Sequence, residues 1–129
     1  MKFKYTILYV ENVKETMDFY SRAFGFKTRF LHESEDYGEL DTGETSLSFS
    51  SLQLMNQLGK NPGKASANIP VFEIVFETNN VESGLKKAIE AGAILVQDVR
   101  EEPWGQTTAY VSDLNGYLVE ICSPVKVEI

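Results

Sequence analysis

The chain has 129 residues, a length that suits one ordinary domain, and 43% of them are hydrophobic, enough to bury a core without disulfide staples. Twelve basic against nineteen acidic residues leave a formal net charge of −7, which repels phosphate backbones, and no Lys/Arg-rich run offsets it locally, so nucleic acid is not an expected partner. Cys122 is the single cysteine, which rules out an intramolecular disulfide; no stretch approaches membrane-span length, and the apolar run in MKFKYTILYVENVKE is too short for a signal peptide, so a cytoplasmic protein with no membrane partner is expected.

The first predicted element is a strand, FKYTILYV (3–10), rich in aromatic and β-branched residues. Asn12 then stands where a helix N-cap belongs, with Glu15 three residues on in a capping-box pattern. Val13, Met17, Tyr20 and Phe24 follow at helical spacing as one apolar stripe, and Gly25 is a natural stop because it tolerates the left-handed conformation. FKTRFLHE, YGELD and TSLSFSSL then read as three strands separated by polar turns. Residues 53–70, QLMNQLGKNPGKASANIP, read as a surface connector because Gly, Pro, Asn, Lys and Ser dominate them.

The pattern then repeats. VFEIVFET is a strand, NNVESGLKKAIEAGA a helix with Val81, Leu85 and Ala88 on one face, and ILVQDVR, QTTAYVSD and GYLVEICS are three more strands. The order is βαβββ, linker, βαβββ: module one over 1–52, linker over 53–70 and module two over 71–129, together one domain. Val13 and Val81, at the two helix starts, lie 68 residues apart, and Asp41 and Asp113, at the two last hairpin turns, lie 72 apart. Two copies of one supersecondary unit explain this better than a solenoid, which needs three or more. The fold class is therefore α+β, with the two modules expected to form a curved mixed sheet whose concave face is a cleft for a small ligand.

Two stretches carry a resemblance that covers essentially the whole chain: LYVENVKETMDFYSRAFGF (8–26), with Phe19-Tyr20 and Gly25-Phe26, and PWGQTTAYVSDLNGYLVEI (103–121), a Trp-Gly strand start, an Asp-x-x-Gly turn and a strand ending in Glu. In these the sequence resembles the vicinal oxygen chelate superfamily, which includes glyoxalase I, bleomycin-resistance proteins, fosfomycin-resistance enzymes and extradiol dioxygenases. One fold hosts many functions, so the resemblance implies architecture more than activity. It also implies four facing positions on the first and last strands of the modules, here Tyr5, Ser48, Glu73 and Glu120. The repeat agrees, since Tyr5 and Glu73 are again 68 apart and Ser48 and Glu120 again 72.

In metal-dependent members such positions carry His, Glu or Gln, because a divalent ion needs imidazole or carboxylate donors. This sequence offers two carboxylates, a phenol and a hydroxyl, and its only histidine, His32, falls in the second strand or its turn. No cofactor is therefore expected; in the alternative, Glu73 and Glu120 hold a divalent metal weakly. Two facing carboxylates without a cation should raise one pKa or recruit a positive ligand. Tyr5 or a backbone amide is the expected hydrogen-bond donor if Glu120 is merely structural.

Ile7 and Tyr9 alternate with Tyr5 and share its face, and Trp104, beside Pro103 and Gly105 at the start of a strand, can stack on a planar ligand. Ser46 and Ser50 flank Ser48 and read as ordinary solvated hydroxyls, and Cys122 alternates with Glu120 as a small buried side chain. The expected function is binding of a small organic molecule, cationic or planar, by Tyr5, Ile7, Tyr9, Ser48, Glu73, Trp104 and Glu120, without a tight catalytic metal. A metal-dependent lyase or isomerase, with Glu73, Glu120 and Tyr5 as ligands or proton shuttles, is the alternative. A non-catalytic interaction module is the third. The resemblance further implies a homodimer.

Overall fold

The structure, a computed structural model, describes residues 1–125; the last four residues of the expected second module lie outside it. Contacts divide the chain into two compact units, Met1–Lys64 and Ala65 onward. The first contains β1 (Tyr5–Val10), α1 (Val13–Phe24), β2 (Lys27–Leu31), β3 (Tyr37–Asp41), β4 (Ser46–Ser51) and α2 (Leu52–Gln57). The second contains β5 (Glu73–Glu77), α3 (Val81–Glu90), β6 (Ile94–Glu101), β7 (Thr107–Ser112) and β8 (Leu118–Cys122). Each unit has its own four-stranded sheet, ordered β1-β4-β3-β2 in one and β5-β8-β7-β6 in the other. In both, the first and last strands pair in parallel and the other pairings are antiparallel. The parallel pair needs a crossover, and the helix after the first strand supplies it. The two βαβββ modules are thus present as the repeat predicts.

Local chemistry explains the helix ends. Asn12 Oδ1 accepts from the Glu15 amide at 2.9 Å, and Asn80 Oδ1 accepts from the Ser83 amide at 3.0 Å, so each N-cap satisfies a donor the helix leaves orphaned. Gly25 closes α1 at φ +79°, its N–H donating to Ser21 O. One face of α1 buries Val13, Thr16, Met17, Phe19, Tyr20 and Ala23, and the Tyr20 ring meets Phe49 of β4 at 5.1 Å. Phe24 ends the stripe only half-buried, because it lies on the last turn. Val81, Leu85 and Ala88 form the buried face of α3. In β8, Val119 and Ile121 are buried on the helix side, which turns Glu120 and Cys122 to the opposite face.

The expected linker over 53–70 is corrected in part. Leu52–Gln57 forms α2, with Ser51 Oγ accepting from the Leu54 amide at 3.0 Å and Met55 buried. Averaged composition hides it: the breakers Gly59, Pro62 and Gly63 all follow the helix, whereas LQLMNQ contains none. The boundary between the units falls inside this segment, at Lys64 and Ala65.

The turn that launches β8 is tightly specified. Asp113 Oδ1 accepts from the amides of Asn115 and Tyr117, each at 2.8 Å, an Asx-type closure. Gly116 lies at φ +89°, and a Cβ there would stand 2.5 Å from the Ala65 carbonyl oxygen. Gly116→Ala therefore combines left-handed strain with a backbone clash. It should cost at least about 2 kcal/mol in denaturant unfolding; an unchanged midpoint would mean the turn is not held as described.

Candidate functional site

The second unit brings Glu73 and Glu120 together. Glu120 sits on β8, between β5 and β7, with Val75 as its Cα partner on one side and Tyr110 on the other. Glu73 stands two residues before Val75 on the same face of β5, within hydrogen-bonding reach of Glu120. Tyr110 donates its phenolic O–H to Glu120 Oε1 at 2.6 Å, the short distance of a bond to a charged acceptor. The donor to Glu120 is thus Tyr110, a cross-strand neighbour, where Tyr5 or a backbone amide was expected.

Electrostatics follow from this placement. Partial burial, then the hydrogen bond and the charge of Glu120, raise the pKa of Glu73 above the ordinary carboxylate range. The neighbouring Glu120 charge contributes to this because two negative groups side by side without a counter-ion disfavour charging of Glu73. Burial, with the bond to Glu120 and the charge of both carboxylates, lifts the Tyr110 phenol well above its ordinary value, which keeps it a donor. Burial and the neighbouring Glu120 push the Cys122 thiol up to about 11, so it remains protonated near neutrality and is no nucleophile.

The first unit carries a different cluster. Tyr5, Ile7 and Tyr9 alternate on one face of β1, half-buried or exposed, and their Cα partners on β4 are Ser46, Ser48 and Ser50. On the far side of β4, Glu39 is the partner of Ser48 and Tyr37 of Ser50. Tyr37 donates to Glu39 Oε2 at 2.6 Å and reaches Ser48 Oγ at 3.3 Å; burial and the Glu39 bond push its phenol up to about 12. Lys60 stands 5.8 Å over the Tyr9 ring, a cation–π contact. The three serines, expected to be solvated, are all buried. β4 is an interior strand of its sheet, Arg29 Nη1 reaches over it to Ser46 Oγ at 2.9 Å, and Tyr37 covers Ser48.

Trp104 stands in the turn before β7 and is 59% exposed, but its indole N–H donates to Gln106 Oε1 at 2.7 Å. Gln106 is buried, donates from Nε2 to Ser123 O at 2.9 Å, and lies within hydrogen-bonding reach of Cys122. Tyr110, Gln106, Tyr37 and Glu39 are the polar residues that sequence reasoning missed. A signal for Tyr110 existed: counting outward from the Asp113–Gly116 turn in an antiparallel pair places it opposite Glu120. The same count from the Asp41 turn sets Glu39 opposite Ser48.

His32, whose Nδ1 pairs with Ser34 Oγ at 2.8 Å, follows β2 and belongs to neither cluster. A divalent metal, which the superfamily resemblance implies for its metal-dependent members, does not fit the donors present. Glu73 and Glu120 are engaged with each other and with Tyr110, the Cys122 thiol is protonated, and among the described residues no group of three or more His, Cys, Asp or Glu side chains is arranged to hold an ion. Among those same residues no helix is long and apolar enough to cross a membrane.

Comparison with known proteins places this geometry. The family model described as a glyoxalase-like domain matches residues 3–126. No curated protein matches the chain. Among solved structures, a glyoxalase-related enzyme from Fulvimarina pelagi superposes with a TM-score of 0.83 at 17% identity, covering 96% of this chain and 88% of that one. A glyoxalase/bleomycin resistance protein/dioxygenase family enzyme from Burkholderia phytofirmans PsJN gives 0.82 at 22% identity, covering 98% and 100%. A member of the glyoxalase/bleomycin resistance protein/dioxygenase superfamily from Sphaerobacter thermophilus DSM 20745 gives 0.75 at 16%, covering 96% and 98%. At such identities the likeness shows a shared fold alone.

The raised pKa of Glu73 has a stability consequence of definite sign. A carboxyl whose folded pKa lies above its unfolded value costs stability as pH rises through that window, because the folded state binds the proton more tightly. Glu73→Gln should therefore raise the melting temperature at pH 7–8 by roughly 1–3 °C, a small effect because the group is well solvated. The gain should vanish below about pH 4.5, where Glu73 is protonated in both states. A gain independent of pH would show that no proton is linked to this residue.

Proposed function

The chain belongs to the glyoxalase-like domain family, and from that premise we propose that it binds a small cationic organic molecule through the Glu73–Glu120 pair of the second unit, without a catalytic metal. The observation that carries this reading is the pairing itself: two carboxyl groups on one sheet face, joined to each other, with Tyr110 donating to Glu120. An ammonium or similar cation arriving there offsets the repulsion between the two carboxyl groups and favours the charged form of Glu73. At about 4 Å and an effective dielectric near 20, each such contact is worth about 4 kcal/mol before desolvation is subtracted. Tyr110 fixes one oxygen of Glu120, so the acceptor is oriented before the ligand arrives, which lowers the ordering cost of binding.

Glu73 and Val75 are exposed on the β5 side, so a ligand can reach the pair from solvent. Catalysis as a lyase or isomerase would require an electrophile or a proton acceptor beside the pair, and the donors described above do not supply a tight metal for it.

Isothermal titration calorimetry with benzylammonium, repeated with Zn²⁺, Ni²⁺ and Mn²⁺ alone, tests the proposal. Benzylammonium should bind saturably, and at a hundredfold excess over its Kd it should stabilise the fold by about 2.7 kcal/mol. Glu120→Gln should abolish the binding. Stoichiometric uptake of a divalent ion, or equal binding of benzoate, would overturn it.

A further inference from the structure

One helix is about 10–12 Å across, and four strands spaced about 4.8 Å apart make a wider sheet than that. In the second unit α3 packs chiefly against β7, so the helix side of the edge strand β6 is left over. An open groove of about 540 Å³ lies between α3 and β6. Ile89 enters it from the helix and Leu95 from the strand, 39% and 49% exposed, and Glu82, Glu90 and Asp98 outnumber Lys86 around them. Leu95 belongs to a run of three exposed apolar residues, Ile94 to Val96. The groove is no part of the carboxyl-pair site, because Glu120 points to the opposite face of the sheet.

The first unit shows that the fold does not require these residues. Its α1 and β2 stand where α3 and β6 stand in the second. By the offset of 68, Glu82, Lys86, Ile89 and Glu90 of α3 correspond to Lys14, Asp18, Ser21 and Arg22 of α1. On the edge strands, Leu95 pairs with Val111 of β7 as Thr28 pairs with Leu40 of β3. The same overhang thus carries Ser21 and Thr28 in one unit and Ile89 and Leu95 in the other, and every charge along the helix stripe is reversed. Apolar side chains that meet in one exposed groove form a patch, and such patches mark interaction surfaces.

The backbone of β6 narrows what can fill the groove. An edge strand ordinarily invites another strand. Here the ladder is interrupted between Leu95 and Gln97 and again between Gln97 and Arg100, and Asp98 Oδ1 takes the Val99 amide at 2.7 Å. An edge blunted in this way holds its occupant through side chains. From Glu82 to Glu90 is eight helical residues, about 12 Å, which matches two turns of a helix laid alongside. Among the described residues none of the three rim carboxylates is in an ion pair, so their charge is available. A second copy of the chain, with a net charge of −7 and the same acidic rim, is repelled.

We infer that the α3–β6 groove is a docking site for a short basic amphipathic helix of another protein, its apolar face seated on Ile89 and Leu95 and its Lys or Arg side chains meeting Glu82, Glu90 and Asp98. The contact is small, which suits a transient partner.

The test uses a fluorescein-labelled helical peptide of about four turns with Leu at positions i, i+3, i+4 and i+7 and Lys on either side, and a twin with Glu for every Lys. Anisotropy should show the Lys peptide binding at least about tenfold more tightly than its twin. Its amide NMR shifts on the protein should fall within 82–90 and 94–99. Ile89→Ser combined with Leu95→Thr, which installs the first unit's residues, should weaken the Lys peptide about tenfold. Glu90→Arg should weaken it about fivefold, whereas Glu33→Arg, an equal change of charge in the turn after β2, should change it less than about twofold. Glu90→Arg, on an exposed helix position, keeps the test decisive if the double variant folds poorly. Failure of the Lys peptide to bind, equal binding of the twin, shifts confined to other residues, or an equal loss in Glu33→Arg would overturn the proposal. So would a dimer in sedimentation that Ile89→Ser dissociates, because the occupant would then be a second copy. None of these variants alters Glu73 or Glu120, so benzylammonium binding and peptide docking stand or fall separately.

Discussion

A carboxylate on an interior strand needs a partner, and Glu120 has found two. Tyr110 donates to it at 2.6 Å from β7, and Glu73 lies within hydrogen-bonding reach from β5, so three strands of one sheet converge on it. Much of the second unit contributes to that arrangement. The Asp113–Gly116 turn sets the register that puts Tyr110 opposite Glu120. The parallel pairing of β5 with β8, made possible by the crossover through α3, puts Glu73 diagonal to Glu120. Val119 and Ile121, buried against the helix side, prevent β8 from slipping by one residue, which would turn Glu120 into the core.

The two units share this topology but not this chemistry. Where the second carries Glu73 and Glu120, the first carries Tyr5 and Ser48, and its short phenol–carboxylate bond runs along β3, from Tyr37 to Glu39, instead of across strands. Duplication of one βαβββ unit has kept the scaffold while the side chains on the face diverged. A divalent ion needs several matched donors, and Glu73 and Glu120 are instead engaged with each other and, for Glu120, with Tyr110.

Much of this was legible in the sequence because it is encoded at short range. Caps at Asn12 and Asn80, the stop at Gly25, the apolar faces of α1 and α3 and the repeat offsets of 68 and 72 each depend on a few neighbouring residues or on simple counting. The closeness of Glu73 to Glu120 was readable from the repeat and the resemblance. Three things were not. Helix α2 was masked by the glycines and proline that follow it, Arg29 and Tyr37 cover Ser46 and Ser48 by reaching across strands, and the Trp104–Gln106–Ser123 chain joins residues up to 17 apart through side-chain atoms. Side chains that bridge strands leave no periodic trace along the chain. Tyr110 is the instructive middle case, since its partner follows from the turn once antiparallel register is counted.

The claim at the centre of this account is that Glu120, close beside Glu73, holds the Glu73 carboxyl above its ordinary range in the absence of a cation. Carbon-13 NMR titration of the glutamate side-chain carboxyls in the ligand-free protein tests this directly. The account predicts that Glu73 titrates above the range of the other glutamates, and that Glu120→Gln brings it back towards that range. A Glu73 titration at an ordinary carboxylate value would contradict it.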